Sequence, residues 1–87
     1  MQRQFLLGMW WLYVKIEVTE DRFVYHYSTE TKELDGEIIY DKKSQRVEVT
    51  RPCAKDLGSK WRIDKSEEKF WHVIEEGFPD RRRVAIG

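Results

Sequence analysis

The sequence predicts an α+β fold, in which a four-stranded antiparallel β-meander carries one C-terminal helix packed on one face of the sheet. Three observations lead to this prediction. Apolar and polar residues alternate in successive segments, turn residues separate these segments, and a helical pattern with capping signals follows them. The last residues, 81–87, leave open a short final strand. With 87 residues the chain has room for a single small domain, residues 1–87.

The first hairpin follows from the alternation between residues 10 and 28. One side of the first strand is uniformly apolar and is therefore assigned to the core; it comprises Trp10, Leu12, Val14, Ile16 and Val18. If Glu20 and Asp21 form a two-residue loop, apolar residues face one another across the hairpin. The expected pairs are Val18–Phe23, Ile16–Tyr25 and Val14–Tyr27.

An apolar run from Phe5 to Val14 precedes and overlaps this strand. It follows a positive residue, Arg3, as in a signal peptide, but no small-residue cleavage site comes after it. It is also far shorter than the ~20 residues that a membrane helix needs. We interpret the run as the start of the first strand of a soluble, cytoplasmic protein that makes no membrane contact.

The second hairpin is predicted from Asp35-Gly36, a dipeptide typical of turns, and from the two strands that follow it. These strands are residues 37–40 and 46–50, joined by a charged loop. Pairing Tyr40 with Val47 places Ile38 opposite Val49, so that apolar residues again meet on one face.

The helix is predicted from Asp64 as N-cap, with Glu67 three residues later, to about Glu76. Gly77 suits the position after a helix, and Pro79 prevents its continuation. Phe70, Val73 and Ile74 share the face that should lie on the sheet. Residues 53–62 stay unassigned, although Trp61 is expected to anchor the core.

Composition excludes several classes of protein. Sixteen basic and sixteen acidic residues give a formal charge of zero, which excludes a polybasic protein that holds nucleic acid by bulk charge. Cys53 is the only cysteine, so an internal disulfide is impossible. One cysteine and two histidines are also too few for a four-ligand cysteine–histidine zinc site.

Two groups of residues were considered for catalysis or metal binding. Glu68, His72 and Glu76 form one stripe of the predicted helix, but a solvated polar face explains them better. Cys53 could act as a nucleophile beside a histidine, yet no local motif supports this. No phosphate-binding glycine loop and no hydrolase motif occurs. We therefore predict no enzyme, no catalytic residue, no metal site and no cofactor.

The outer face of the sheet is the main prediction of a site. The assigned alternation places on it an apolar patch rimmed by charges, with Trp11, Tyr13, Val24, His26 and Ile39 as the proposed contact residues. This predicts a non-catalytic interaction or regulatory domain that binds a protein partner or a second copy of itself as a homodimer. The other reading is that Phe5-Leu6-Leu7 or residues 53–62 fold over this face.

Single-stranded nucleic acid is the alternative ligand. Arg81, Arg82 and Arg83 are consecutive and could hold phosphates, while exposed aromatic rings could stack on bases. The neutral net charge makes this alternative the weaker of the two.

Overall fold

The computed structural model describes residues 9–86, which form a five-stranded antiparallel sheet in the order β4-β3-β2-β1-β5, with two short helices on one face. The elements are β1 (Trp10–Val18), β2 (Arg22–Thr29), β3 (Gly36–Asp41), β4 (Arg46–Arg51), α1 (Lys60–Lys69), α2 (Trp71–Glu75) and β5 (Arg81–Ala85). The α+β class and the antiparallel sheet are thereby confirmed. Residues 5–8 of the apolar N-terminal run lie outside the described residues.

The sheet has five strands where the meander was predicted with four. The optional final strand forms as β5 and pairs antiparallel with β1, so that Trp11 lies opposite Val84. The backbone N–H of Lys15 donates to the carbonyl of Asp80 at 2.8 Å and extends the ladder by one more pair. A four-stranded meander would have left this edge of β1 with unpaired backbone groups, which β5 satisfies.

A β-bulge at Ile16 changes the predicted register of the first hairpin. Val18 faces Phe23 as predicted, but the register shifts between Lys15 and Glu17, and Lys15 takes the place opposite Tyr25. The expected pairs Ile16–Tyr25 and Val14–Tyr27 are therefore wrong. An extra residue in one strand reverses which side chains reach which face for the rest of that strand.

The bulge moves the large rings of β1 onto the helix side of the sheet. Tyr13 lies opposite Tyr27, and the side chains of Trp11 and Tyr13 are 1% and 0% exposed. Leu12 and Val14, which the alternation had assigned to the core, lie on the other face instead. The exchange buries two large aromatic side chains rather than two smaller aliphatic ones in the main core.

The second hairpin has the predicted pairs, with Tyr40 opposite Val47 and Ile38 opposite Val49. Gly36 does not lie in a tight turn but begins β3, directly opposite Tyr27. A Cβ atom at Gly36 would lie 2.4 Å from Cε1 of Tyr27. Glycine is needed there because the tyrosine ring packs against the backbone.

The helical region begins earlier than predicted. α1 starts at Lys60 with Ser59 as N-cap, whose hydroxyl accepts from the backbone N–H of Arg62. Asp64 is an exposed residue within α1 and pairs with Lys60 at 2.8 Å. Both residues are good caps in sequence, and Ser59 prevails because the preceding turn, with Gly58 at φ +79°, ends there.

The helical region ends where it was predicted to end. Gly77 has φ +82°, and its N–H donates to the carbonyl of Ile74 at 3.0 Å. The N–H of Phe78 donates to the carbonyl of Val73 at 3.0 Å, which completes a Schellman motif. Lys15 satisfies a further carbonyl just after the helix end, because its Nζ donates to the carbonyl of Phe78 at 2.8 Å.

The core forms where the helices meet the rings of β1 and β2. Phe70 and Val73 are fully buried, as the helical pattern predicted. The Phe70 ring makes edge-to-face contacts with Tyr13 at 5.3 Å and with Tyr25 at 5.1 Å between centroids. Trp61, expected to anchor the core, is 59% exposed.

A buried hydrogen-bond network joins α1, the sheet and the segment that connects them. Oδ2 of Asp56 accepts from the hydroxyl of Tyr27 at 2.8 Å and from that of Ser66 at 2.6 Å. The Ser66 hydroxyl in turn accepts from Nε1 of Trp11 at 3.0 Å. Nε of Arg62 lies 3.5 Å from Oδ1 of Asp56 and offsets part of its charge.

We expect Asp56→Ala to lower the free energy of unfolding by about 3 kcal/mol, because it leaves two buried hydroxyl donors without an acceptor. Urea unfolding followed by tryptophan fluorescence measures this change. The control is Asp64→Ala, which removes an exposed ion pair and should cost below about 1 kcal/mol. Equal losses in the two variants would show that the network contributes no more than a surface pair.

Burial also affects the tyrosine hydroxyls of the core. Desolvation raises the pKa of Tyr13, Tyr25 and Tyr27 well above the ordinary tyrosine value of 10.0. The charge of Asp56 adds to the increase at Tyr13 and Tyr27, and that of Asp80 adds to it at Tyr25. Each of these hydroxyls is therefore held in its protonated form by the fold.

We expect the stability of the protein to fall as the pH rises above about 10. Below that pH the hydroxyls are protonated in both states, whereas above it the unfolded chain loses protons that the folded chain keeps. Urea unfolding from about pH 8 to about pH 11 measures the slope. Tyr25→Phe should make the slope shallower by one proton, and an unchanged slope would contradict the assignment.

Candidate functional site

Both helices pack on one face of the sheet, and the opposite face has no helix over it in the described part of the chain. The registers place two rows of side chains across the end of this outer face that β5 forms. Leu12 lies between Arg83 and Ser28 in one row. Val14 lies between Arg81 and His26 in the next row.

A concave site of about 170 Å³ lies at this end of the outer face. We call it the basic pocket, and it is lined by Trp10, Leu12, Lys32, Arg81 and Arg83. Leu12 forms an apolar floor and is 4% exposed, whereas the three basic side chains belong to exposed residues. The guanidinium carbon of Arg83 lies 4.7 Å from the centroid of the Trp10 ring, which is a cation–π contact.

The basic pocket carries positive charge without a compensating carboxylate. No acidic residue lines it, and no ion pair of Lys32, Arg81 or Arg83 occurs within residues 9–86. Three cations held near one another repel, and an anion placed among them relieves that repulsion. The arrangement therefore suits an anionic ligand that also offers a flat or apolar surface to Trp10 and Leu12.

The three consecutive arginines do not act together. Alternation along β5 places Arg81 and Arg83 on the outer face and Arg82 on the helix face. There the Arg82 guanidinium binds both carboxylate oxygens of Glu76 at 2.8 Å. The prediction that all three form one anion-binding cluster is wrong for Arg82, because strand alternation places its side chain on the opposite face of the sheet.

The five contact residues predicted for the outer face lie on two different faces of the sheet. Trp11 and Tyr13 are buried beneath α1 and so cannot offer their rings to a partner. Their placement on the outer face was wrong, since the bulge at Ile16 reverses the alternation. Val24, His26 and Ile39 do lie on the outer face, but Val24 is buried there, with only 5% of its surface exposed. Self-association itself stays a prediction.

Sequence reasoning missed three members of the basic pocket. It assigned Trp10 and Leu12 to the core, because residues 10–14 are apolar on both parities and the bulge left no signal in the sequence. Lys32 lies in the polar connection between β2 and β3, whose path no periodic pattern predicts. The alternation of residues 81–83, read as a strand, would have identified Arg81 and Arg83.

The helical stripe considered for metal binding is solvated and paired. His72, Glu68 and Glu76 are exposed; Glu68 pairs with Lys65 at 3.1 Å, and Glu76 binds Arg82. Among residues 9–86 no group of three or more His, Cys, Asp or Glu side chains is placed to hold a metal ion.

Cys53, considered as a nucleophile, is 1% exposed, and its thiol donates to Oγ1 of Thr29 at 3.5 Å. Its backbone N–H donates to the Tyr27 hydroxyl at 3.2 Å. The residue thus packs within the buried network rather than lining an open site.

Comparisons with protein-family models, with curated proteins and with solved structures found no match to this chain. Within the described residues, neither helix has the length and apolar character that crossing a membrane requires.

Proposed function

We propose that this protein is a non-catalytic binding domain that holds single-stranded nucleic acid on the outer face of its sheet. The observation that carries the proposal is the basic pocket, where Lys32, Arg81 and Arg83 surround Trp10 and Leu12 and no carboxylate of residues 9–86 neutralises them. The proposal places the protein in the cytoplasm, where an unpaired thiol such as that of Cys53 stays reduced.

The chemistry of the pocket favours a single strand over a duplex. Ammonium and guanidinium groups bind backbone phosphates in either form. Only a single strand also exposes base faces, which stack on aromatic rings and on guanidinium planes. Arg83 already lies over Trp10, so a base stacked on the free side of the guanidinium would extend this stack.

Local charge rather than total charge supplies the attraction. The formal charge of the chain is zero, so its long-range field does not concentrate polyanions. The basic pocket contacts few phosphates, which limits the affinity and gives it a shallow dependence on salt. With three cations engaged, the slope of log affinity against log salt concentration should be about −2.

We expect the protein to bind a short fluorescent oligothymidylate, with the affinity falling about tenfold in Arg83→Glu. Fluorescence anisotropy at several salt concentrations measures both the affinity and the slope. Trp10→Leu keeps an apolar surface but removes the ring, and should weaken binding by about tenfold through lost stacking.

The matched control is Lys43→Glu, which changes the net charge equally at an exposed loop position. It should bind as the unmodified protein does. No binding, equal weakening in Arg83→Glu and Lys43→Glu, or equal affinity for the strand and for its duplex with oligoadenylate would overturn the proposal.

A further inference from the structure

The sheet ends on its other side at β4, whose backbone has no neighbouring strand there within the described residues. Hydrogen-bonded and non-bonded pairs alternate in an antiparallel ladder, so Val47 and Val49 both direct their N–H and C=O groups away from β3. The N–H of Val49 donates instead to Oε2 of Glu67 in α1 at 2.9 Å. Outside the sheet ladder, the backbone groups of Val47 have no hydrogen-bond partner among residues 9–86.

Two hollows flank this edge, one toward each face of the sheet. The outer hollow has a volume of about 560 Å³, and its lining includes Arg22, Ile39 and Glu48. The inner hollow, about 460 Å³, lies between β4 and the helices, and Trp71 lines it. Side chains of a strand alternate between its two faces. A strand added to β4 would therefore place its side chains alternately in the two hollows.

The inner hollow is acidic and contains an exposed indole. Asp64, Glu67 and Glu68 line it beside Trp71, which is 43% exposed, and Arg46 is its one basic residue. A lysine or arginine side chain entering this hollow could meet these carboxylates and the face of the indole ring. The existing partner of Asp64 is the exposed Lys60, and such a surface pair is exchanged at low cost. Glu68 is itself exposed, and its partner Lys65 is partly buried.

We propose that the β4 edge is a docking site for an extended cationic peptide segment, which adds to the sheet as an antiparallel or parallel strand. Glu67 occupies this edge when no peptide is bound. A carbonyl of the incoming strand replaces the Glu67 carboxylate as the acceptor of the Val49 N–H. The released carboxylate then pairs with a basic side chain of the peptide, so the exchange leaves neither group without a partner.

A second copy of the chain fits this edge less well than a cationic peptide does. Two-fold pairing of β4 with itself would bring two inner hollows side by side, each carrying Asp64, Glu67 and Glu68. Like charges facing one another across such a contact oppose it.

The test is the binding of a labelled peptide of alternating lysine and valine to the full-length protein, measured by fluorescence anisotropy. Its counterpart of alternating glutamate and valine serves as the control peptide. We expect the lysine peptide to bind and to slow hydrogen exchange at the amide of Val49. Equal binding of both peptides, or no binding of the lysine peptide, would overturn the proposal.

Two variants separate backbone pairing from charge attraction. Val49→Pro removes the N–H that faces the edge and should weaken binding by about tenfold, whereas Val49→Thr keeps it and should bind normally. Glu68→Lys reverses one charge in the inner hollow and should also weaken binding by about tenfold. Its control, Glu20→Lys, makes the same change at an exposed turn.

Circular dichroism and urea unfolding establish that each variant is folded before its affinity is compared. If folded Val49→Pro binds the peptide as the unmodified protein does, strand addition is wrong. If Val49→Pro does not fold, Glu68→Lys and the exchange rate of the Val49 amide decide the question. A dimer mass that Val49→Pro abolishes, together with absence of peptide binding, would assign the edge to a second copy instead.

Discussion

The carboxylate of Asp56 is the point at which the separate parts of this structure are joined. It lies in the segment before α1, and through Tyr27 and Ser66 it connects that segment to the sheet and to the helix. A buried carboxylate is costly unless donors surround it. Ser66, which donates to Asp56, is also an acceptor: its hydroxyl accepts from the indole N–H of Trp11 and its carbonyl from the Tyr13 hydroxyl. The network therefore determines which rings of β1 face the helix.

This dependence explains which parts of the fold the sequence could predict. The pairs Val18–Phe23 and Tyr40–Val47 and the end of the helix at Gly77 follow from local patterns, and the structure confirms them. The bulge at Ile16 does not, because residues 10–14 are apolar on both parities and either face could have been the core. The choice rests on hydrogen-bond partners that are distant in sequence, such as Ser66, which alternation cannot detect.

The candidate sites show the same limit. Spacing within β5 separates Arg82 from Arg81 and Arg83, so two members of the basic pocket were within reach of sequence reasoning. Lys32 was not, because it comes to the pocket from an irregular connection. The β4 edge likewise depends on a contact between two separate elements. Glu67 reaches Val49 only because α1 packs beside β4, although the two residues were predicted correctly as helix and strand.

A net charge of zero hides two regions of opposite sign in this protein. The basic pocket lies at the β5 side of the sheet and the acidic hollow at the β4 side, and the strands between them separate the two by roughly 19 Å at about 4.8 Å a strand. Such a molecule could assemble head to tail, since a basic end of one copy would attract the acidic end of the next in a chain that does not close. The contact of Glu67 with the Val49 N–H must be exchanged before the β4 edge of one copy accepts a strand of another. Glu67 occupies the Val49 N–H, a donor that a neighbouring strand would need. A strand replaces Glu67 at little cost only if it supplies an acceptor for this N–H and a cation for the released carboxylate.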